Sequence, residues 1–165
     1  MINNGHTIQV NYAPGSSITV EGKTYELVQF HFHHISETAI NSQHSPMELH
    51  LVHKDKDGNL AVVAVLLNKG QPNQTVSTVW DHLPHEADKE YVPEHVEIEA
   101  VHPLPANHRY YTFSGSLTTP PCSENVTWLV LAKPVTLSKA QIDRFAAIYP
   151  NNARPVQPLN GRNVL

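Results

Sequence analysis

The chain has 165 residues, 40% of them apolar, enough for one domain with its own core and too few to argue for two. A net charge of −4, with 11 Lys and Arg and no basic run, excludes an electrostatic footprint for nucleic acid or an anionic membrane surface. No apolar run reaches the ~18 residues of a membrane span, and "MINNGH" carries neither the charged nor the apolar part of a secretory signal.

Thirteen prolines and turn clusters such as "YAPGSS", "DKDGN" and "NKGQPN" predict many short strands joined by tight turns. "KTYELVQFHFHH" alternates. Strict alternation puts Tyr25, Leu27, Gln29, His31 and His33 on one face and Glu26, Val28, Phe30, Phe32 and His34 on the other. Both faces are largely apolar, which predicts an interior strand. "MELHLVHK" and "NLAVVAVLLNK" read as two further strands with "DKDGN" as the hairpin turn between them. The "DKDG" start of a calcium loop is not completed, because its twelfth position is Leu66 where a bidentate glutamate belongs. In "NQTVSTVWDHLPH", Val76, Val79, Trp80 and Leu83 follow helical spacing. "NVTWLVLAK" is a fourth strand. A second helix begins at Ser138, which forms a capping box with Gln141, and stops at Pro150. The pattern is one mainly β domain over residues 1–165, with a large, mostly antiparallel twisted sheet and a few peripheral helices.

Histidine is unusually frequent, with 12 residues against 15 acidic ones. His82, His85, His95, His102 and His108 read as scattered loop or surface positions. Cys122 is the only cysteine, which excludes a disulfide within the chain and a thiolate-rich metal cluster, so a metal would need imidazole. His31 and His33 sit on one face of a strand, with Cα atoms roughly 6 to 7 Å apart, so both reach one ion. In "MELHLVH", Glu48, His50 and Val52 share a face, and a neighbouring strand would bring His50 to the same point. Three imidazoles with a fourth position open describe a catalytic zinc centre. Gln29 and Glu48 each precede a candidate ligand by two residues on its own face, where they can accept the spare ring N–H and hold the tautomer.

"NNGH", "QFHFH", "ELHLVHKDKDGNLAV", "SGSLTTPPCSE" and "NARPVQPLNGR", in this order, resemble the alpha-class carbonic anhydrases, most closely the bacterial branch. The resemblance runs from Asn3 to Arg162. It implies one Zn²⁺ held by His31, His33 and His50, with Gln29 and Glu48 behind them, and reversible hydration of CO₂ to bicarbonate and a proton through zinc-bound hydroxide. It implies that Thr118 accepts a hydrogen bond from that hydroxide and gives its own proton to Glu37. Val52, Val62, Leu117, Val126 and Trp128 would wall the CO₂ pocket, with Thr119 on its polar side. His6 would be the proton shuttle, and Asn4 and Gln9 would line the water path. The residues alone also allow Thr118 to cap a turn, the wall residues to be ordinary core, and His6 to be a surface side chain. A periplasmic or secreted location, sulfonamide inhibition and a homodimer are further implications of the family.

The family places a substantial segment before "NNGH", so the chain is expected to lack that part and the cysteine that pairs with Cys122 in many bacterial members. Ile35, Phe113 and Ala153 are smaller departures from the pattern. A catalytically weak zinc-binding fragment is therefore a competing expectation. A cupin-like iron site is another, because "HFHHISE" also fits a two-histidine, one-carboxylate spacing that would make Glu37 a ligand.

Overall fold

The computed structural model describes all residues except 85, 95, 97 and 101. The expectations for His85 and His95 lie outside the described residues. Among those described, a nine-stranded sheet dominates: β1 (Ile2–Asn3), β2 (Ile8–Asn11), β4 (Lys23–His33), β7 (Met47–Lys54), β8 (Leu60–Lys69), β10 (Glu124–Leu131) and β9 (Tyr110–Ser116) lie side by side in that order. Outside this order, β3 (Ser17–Val20) pairs with β4 and β11 (Val135–Leu137) with β8. A separate hairpin is formed by β5 (Ala39–Ile40) and β6 (Gln43–His44). Pairings in the large sheet are antiparallel except β8 with β10 and β8 with β11.

The β7–β8 hairpin closes where "DKDGN" predicts it, with Asp55 N–H donating to the Asn59 carbonyl at 2.9 Å. Gly58 sits at φ +89°, a conformation side chains resist. Helix α1 (Gln74–Asp81) starts at Asn73, whose side chain accepts from Val76 N–H. It ends two residues before Leu83, the last of the predicted helical set: His82 is its C-cap, and Leu83 joins the core edge from outside the helix. Helix α2 (Lys139–Ile148) has the predicted Ser138 and Gln141 capping box. Gln141 also accepts from Asn73 N–H at 3.0 Å and donates to the Asn73 carbonyl at 2.7 Å, which fastens the start of one helix to the other.

One face of the sheet carries the main core. Phe30 and Phe32 point to that side, and Phe32 meets Trp80 of α1 edge-on at 4.7 Å and Phe145 of α2 at 6.2 Å. Strict alternation along β4 is corrected at one point. A bulge between Leu27 and Gln29 in the pairing with β7 shifts the phase, so Leu27 joins Phe30 in the core, away from the Gln29 face. Beyond the bulge, period two holds through His33.

Candidate metal centre

The opposite face of β4 and β7 gathers the histidines. His31 lies directly across from His50, and His33 across from Glu48. Ring centroids are 5.0 Å apart for His31 and His33, 5.3 Å for His31 and His50, and 4.6 Å for His33 and His50. The nitrogens that could hold an ion lie within 4.8 Å of one another, and no other such group occurs among the described residues. A tetrahedral zinc keeps its nitrogens about 3.4 Å apart, so small ring rotations suffice to close the set. His33 Nε2 is buried with no hydrogen-bond partner, as an atom facing an ion would be. Ala64 is the residue opposite His50 on β8, and its small side chain leaves the imidazole its space.

Each ring is held from behind. His31 Nδ1 is 2.8 Å from Gln29 Oε1, and His33 Nδ1 is 3.1 Å from the backbone carbonyl of Asn152. His50 Nε2 lies 3.3 Å from Glu48 Oε1, out of line for a full hydrogen bond. Glu48 is itself fully buried and fixed by Thr38, whose N–H reaches Oε2 at 2.8 Å and whose hydroxyl reaches Oε1 at 2.7 Å.

Burial, reinforced by repulsion from His50 and His33, holds the His31 imidazole well below its ordinary range. Burial and His50 push His33 down to about 3, against the pull of the Asn152 carbonyl and Glu48. Both rings are thus neutral at pH 7, the form that ligates a metal. Burial also raises Glu37, and His50, the Arg154 N–H and Thr118 offset this only in part. Burial would raise Glu48 too, but His50 and the two Thr38 bonds outweigh it and bring that carboxyl below its usual range.

Glu37 Oε1 accepts from Arg154 N–H at 2.7 Å, and its side chain is 6% exposed. Oε2 has no partner at hydrogen-bond distance, although the Thr118 hydroxyl is near enough to favour the ionised form. Thr118 is half-buried beyond the end of β9, and Thr119 is exposed in the turn that follows. Val52, Val62, Val126 and Trp128 form one buried cluster with Leu117 packed against it, and the Trp128 ring is 4.9 Å from that of His50. A cavity of about 560 Å³ opens beside this cluster, lined by Glu37, Thr118, Trp128, Phe113 and Arg154. Of the six residues assigned to the substrate pocket, only Trp128 lines it. A second cavity, about 320 Å³, is lined by Asp81, His82, Pro84 and Lys89 and by none of His31, His33 and His50.

His6 is exposed on the turn between β1 and β2. Asn4 Nδ2 donates to Gln9 Oε1 at 3.3 Å, and Gln9 pairs in register with His31, so these polar groups run along the strands toward the three rings. Sequence reasoning assigned nothing to Asn152, Arg154 or Thr38. The signal for the first two lay in "NARPVQPLNGR", but both contact the site through backbone atoms, which no side-chain pattern announces.

The fold is a mainly β sheet with three imidazoles that could hold a metal ion on one face and an apolar core on the other. The chain belongs to the eukaryotic-type carbonic anhydrase family, whose model matches residues 1–165. A carbonic anhydrase of Nostoc sp. is 51% identical over the whole chain, which spans 62% of that relative's length. The alpha-carbonic anhydrase of Thermovibrio ammonificans, solved with the inhibitor sulfanilamide, superposes with a TM-score of 0.95 at 44% identity, covering 99% of this chain and 72% of that one. The alpha-carbonic anhydrase of Photobacterium profundum gives 0.94 at 45% identity, covering 99% and 75%. The cupin-like reading is overturned by this membership, and Glu37 stands outside the group of potential ligands. No helix of the described residues is long and apolar enough to cross a membrane.

Proposed function

We propose that the chain binds one Zn²⁺ through His31, His33 and His50 and interconverts CO₂ and bicarbonate. The observation that carries this is the imidazole trio itself, converging from two paired strands, with His33 and His50 buried and the His31 and His33 rings held neutral. Zinc bound there would supply an acidified water as a nucleophile at neutral pH, an effect for which carbonic anhydrase is the standard example. Gln29, Glu48 and the Asn152 carbonyl stand behind the three rings, so that closing the ligand set takes only small ring rotations. Thr118, giving its proton toward Glu37, keeps lone pairs for the site and orients the attacking oxygen. Val52, Val62, Leu117, Val126 and Trp128 offer CO₂, which has no charge to grip, an apolar surface beside the rings, with Thr119 at the polar exit. His6 takes the released proton along the path lined by Asn4 and Gln9. Sulfonamide inhibition, a periplasmic location and a homodimer belong to the same proposal by kinship with the bacterial relatives.

The test is metal analysis and stopped-flow CO₂ hydration on the zinc-loaded chain. One zinc per chain and activity blocked by sulfanilamide are expected, and His33→Ala should abolish both stoichiometric zinc and turnover. A second reading, zinc binding without turnover, draws on the chain's spanning only 62% of the Nostoc relative. A folded, zinc-replete sample with no hydration activity decides for it.

A further inference from the structure

Asn152 uses every polar group it has, and all of them reach segments that carry the site. Its backbone N–H donates to the His34 carbonyl at 2.9 Å, and its carbonyl faces His33 Nδ1. Its side-chain Oδ1 accepts from His34 N–H at 2.7 Å. The Nδ2 group donates twice at 3.0 Å, once to the Phe32 carbonyl on β4 and once to the His6 carbonyl on the neighbouring turn. One amide thus bridges the strand bearing His31 and His33 to the residue placed to carry the proton.

The other side of His6 is held as well. Asn4 Oδ1 accepts from His6 N–H at 3.0 Å and from Thr7 N–H at 2.9 Å, and Thr7 Oγ1 donates to the Phe32 carbonyl at 2.5 Å. With both flanking peptides fixed, the exposed His6 ring moves about its own side-chain torsions and little else. Only an amide of this length offers two diverging donors and an acceptor here. Aspartate lacks the donors, and alanine lacks all three contacts.

We propose that the Asn152 side-chain amide is a positioning residue for His6, holding the turn that carries the ring at a fixed place relative to the metal-ligand strand. The proposal rests on His6 as proton acceptor in the reading above. Positioning matters because proton transfer through a short path depends steeply on where the acceptor sits.

Asn152→Asp keeps the His34 bond and loses both donors, and Asn152→Ala loses all three contacts. Each retains the backbone carbonyl behind His33, so zinc affinity measured by chelator competition should move less than about three-fold. On the zinc-loaded chain, kcat should fall about five-fold in dilute buffer while kcat/KM stays within about two-fold, with imidazole restoring kcat. The ¹⁵N order parameter of the His6 and Thr7 amides should drop from about 0.85 toward 0.6. Parallel losses of kcat, kcat/KM and zinc affinity would show a merely structural residue and overturn the proposal. So would an order parameter and kcat unchanged in Asn152→Asp. If His6→Ala itself leaves kcat intact, the shuttle reading fails, and the order parameter alone then decides whether the amide holds the turn.

Discussion

The two faces of β4 and β7 are made of the same residues in alternation, yet they obey different rules. On one, Phe30, Phe32, Leu49 and Leu51 bury apolar surface against two helices, and volume is what counts. On the other, buried His33, Glu48 and His50 and half-buried His31 are polar groups whose value lies in direction, since each needs a partner at a particular angle. A pleated strand separates the two demands at no cost in length, because its side chains leave on opposite sides at every step. The core face should therefore tolerate swaps that conserve volume, while the metal face should tolerate none that alters a donor or acceptor.

The largest effect that would break this separation is on the core side. Phe32→Ala removes a fully buried ring packed against Trp80 and Phe145 and should cost about 3–5 kcal/mol in chemical unfolding. Zinc stoichiometry of the folded fraction should stay at one per chain, and loss of zinc at unchanged folding would contradict the division of labour. On the metal side, Glu48→Gln keeps shape but removes the charge behind His50. Zinc affinity should weaken by roughly 10–100-fold with a smaller change in apo stability. A loss of stability without loss of affinity would show Glu48 to serve the fold alone.

The smallest effect concerns His53, at the far end of β7. It is 4% exposed, its Nδ1–H donates to the Leu51 carbonyl at 2.9 Å, and burial lowers its pKa. The folded chain thus holds it neutral while the unfolded chain protonates it near pH 6.5, so its contribution is present above that pH and is lost as pH falls toward the lowered folded value. His53→Gln should flatten that part of the acid limb of a stability profile, read by unfolding at pH 7, 6 and 5. An unchanged slope would remove His53 as a source of the acid sensitivity.

Legibility in the chain follows the range of the interaction. The four strands β4, β7, β8 and β10, the hairpin at Gly58, the Ser138 cap and the three histidines, two of them with partners at i−2, were readable because period and local capping carry them. Leu27 was misplaced because a bulge depends on the partner strand, which alternation in one strand does not report. Asn152, 119 residues from His33, acts through a carbonyl that every residue type possesses, so its identity marks only the side-chain bonds. Thr38 was missed for a related reason. Its two bonds to Glu48 depend on how the chain turns between β4 and β7, beyond any periodic signal.

The parallel seam between β8 and β10 divides the site by the length of chain each half must close. His31 faces His50 across nineteen residues, whereas Val62 faces Trp128 across sixty-six, a difference of about 1 kcal/mol in closure entropy. Parallel pairing is also slightly weaker per residue. On folding, the apolar flank of the pocket therefore has to close a far longer loop than the histidine flank, which makes its seam the costlier of the two to form.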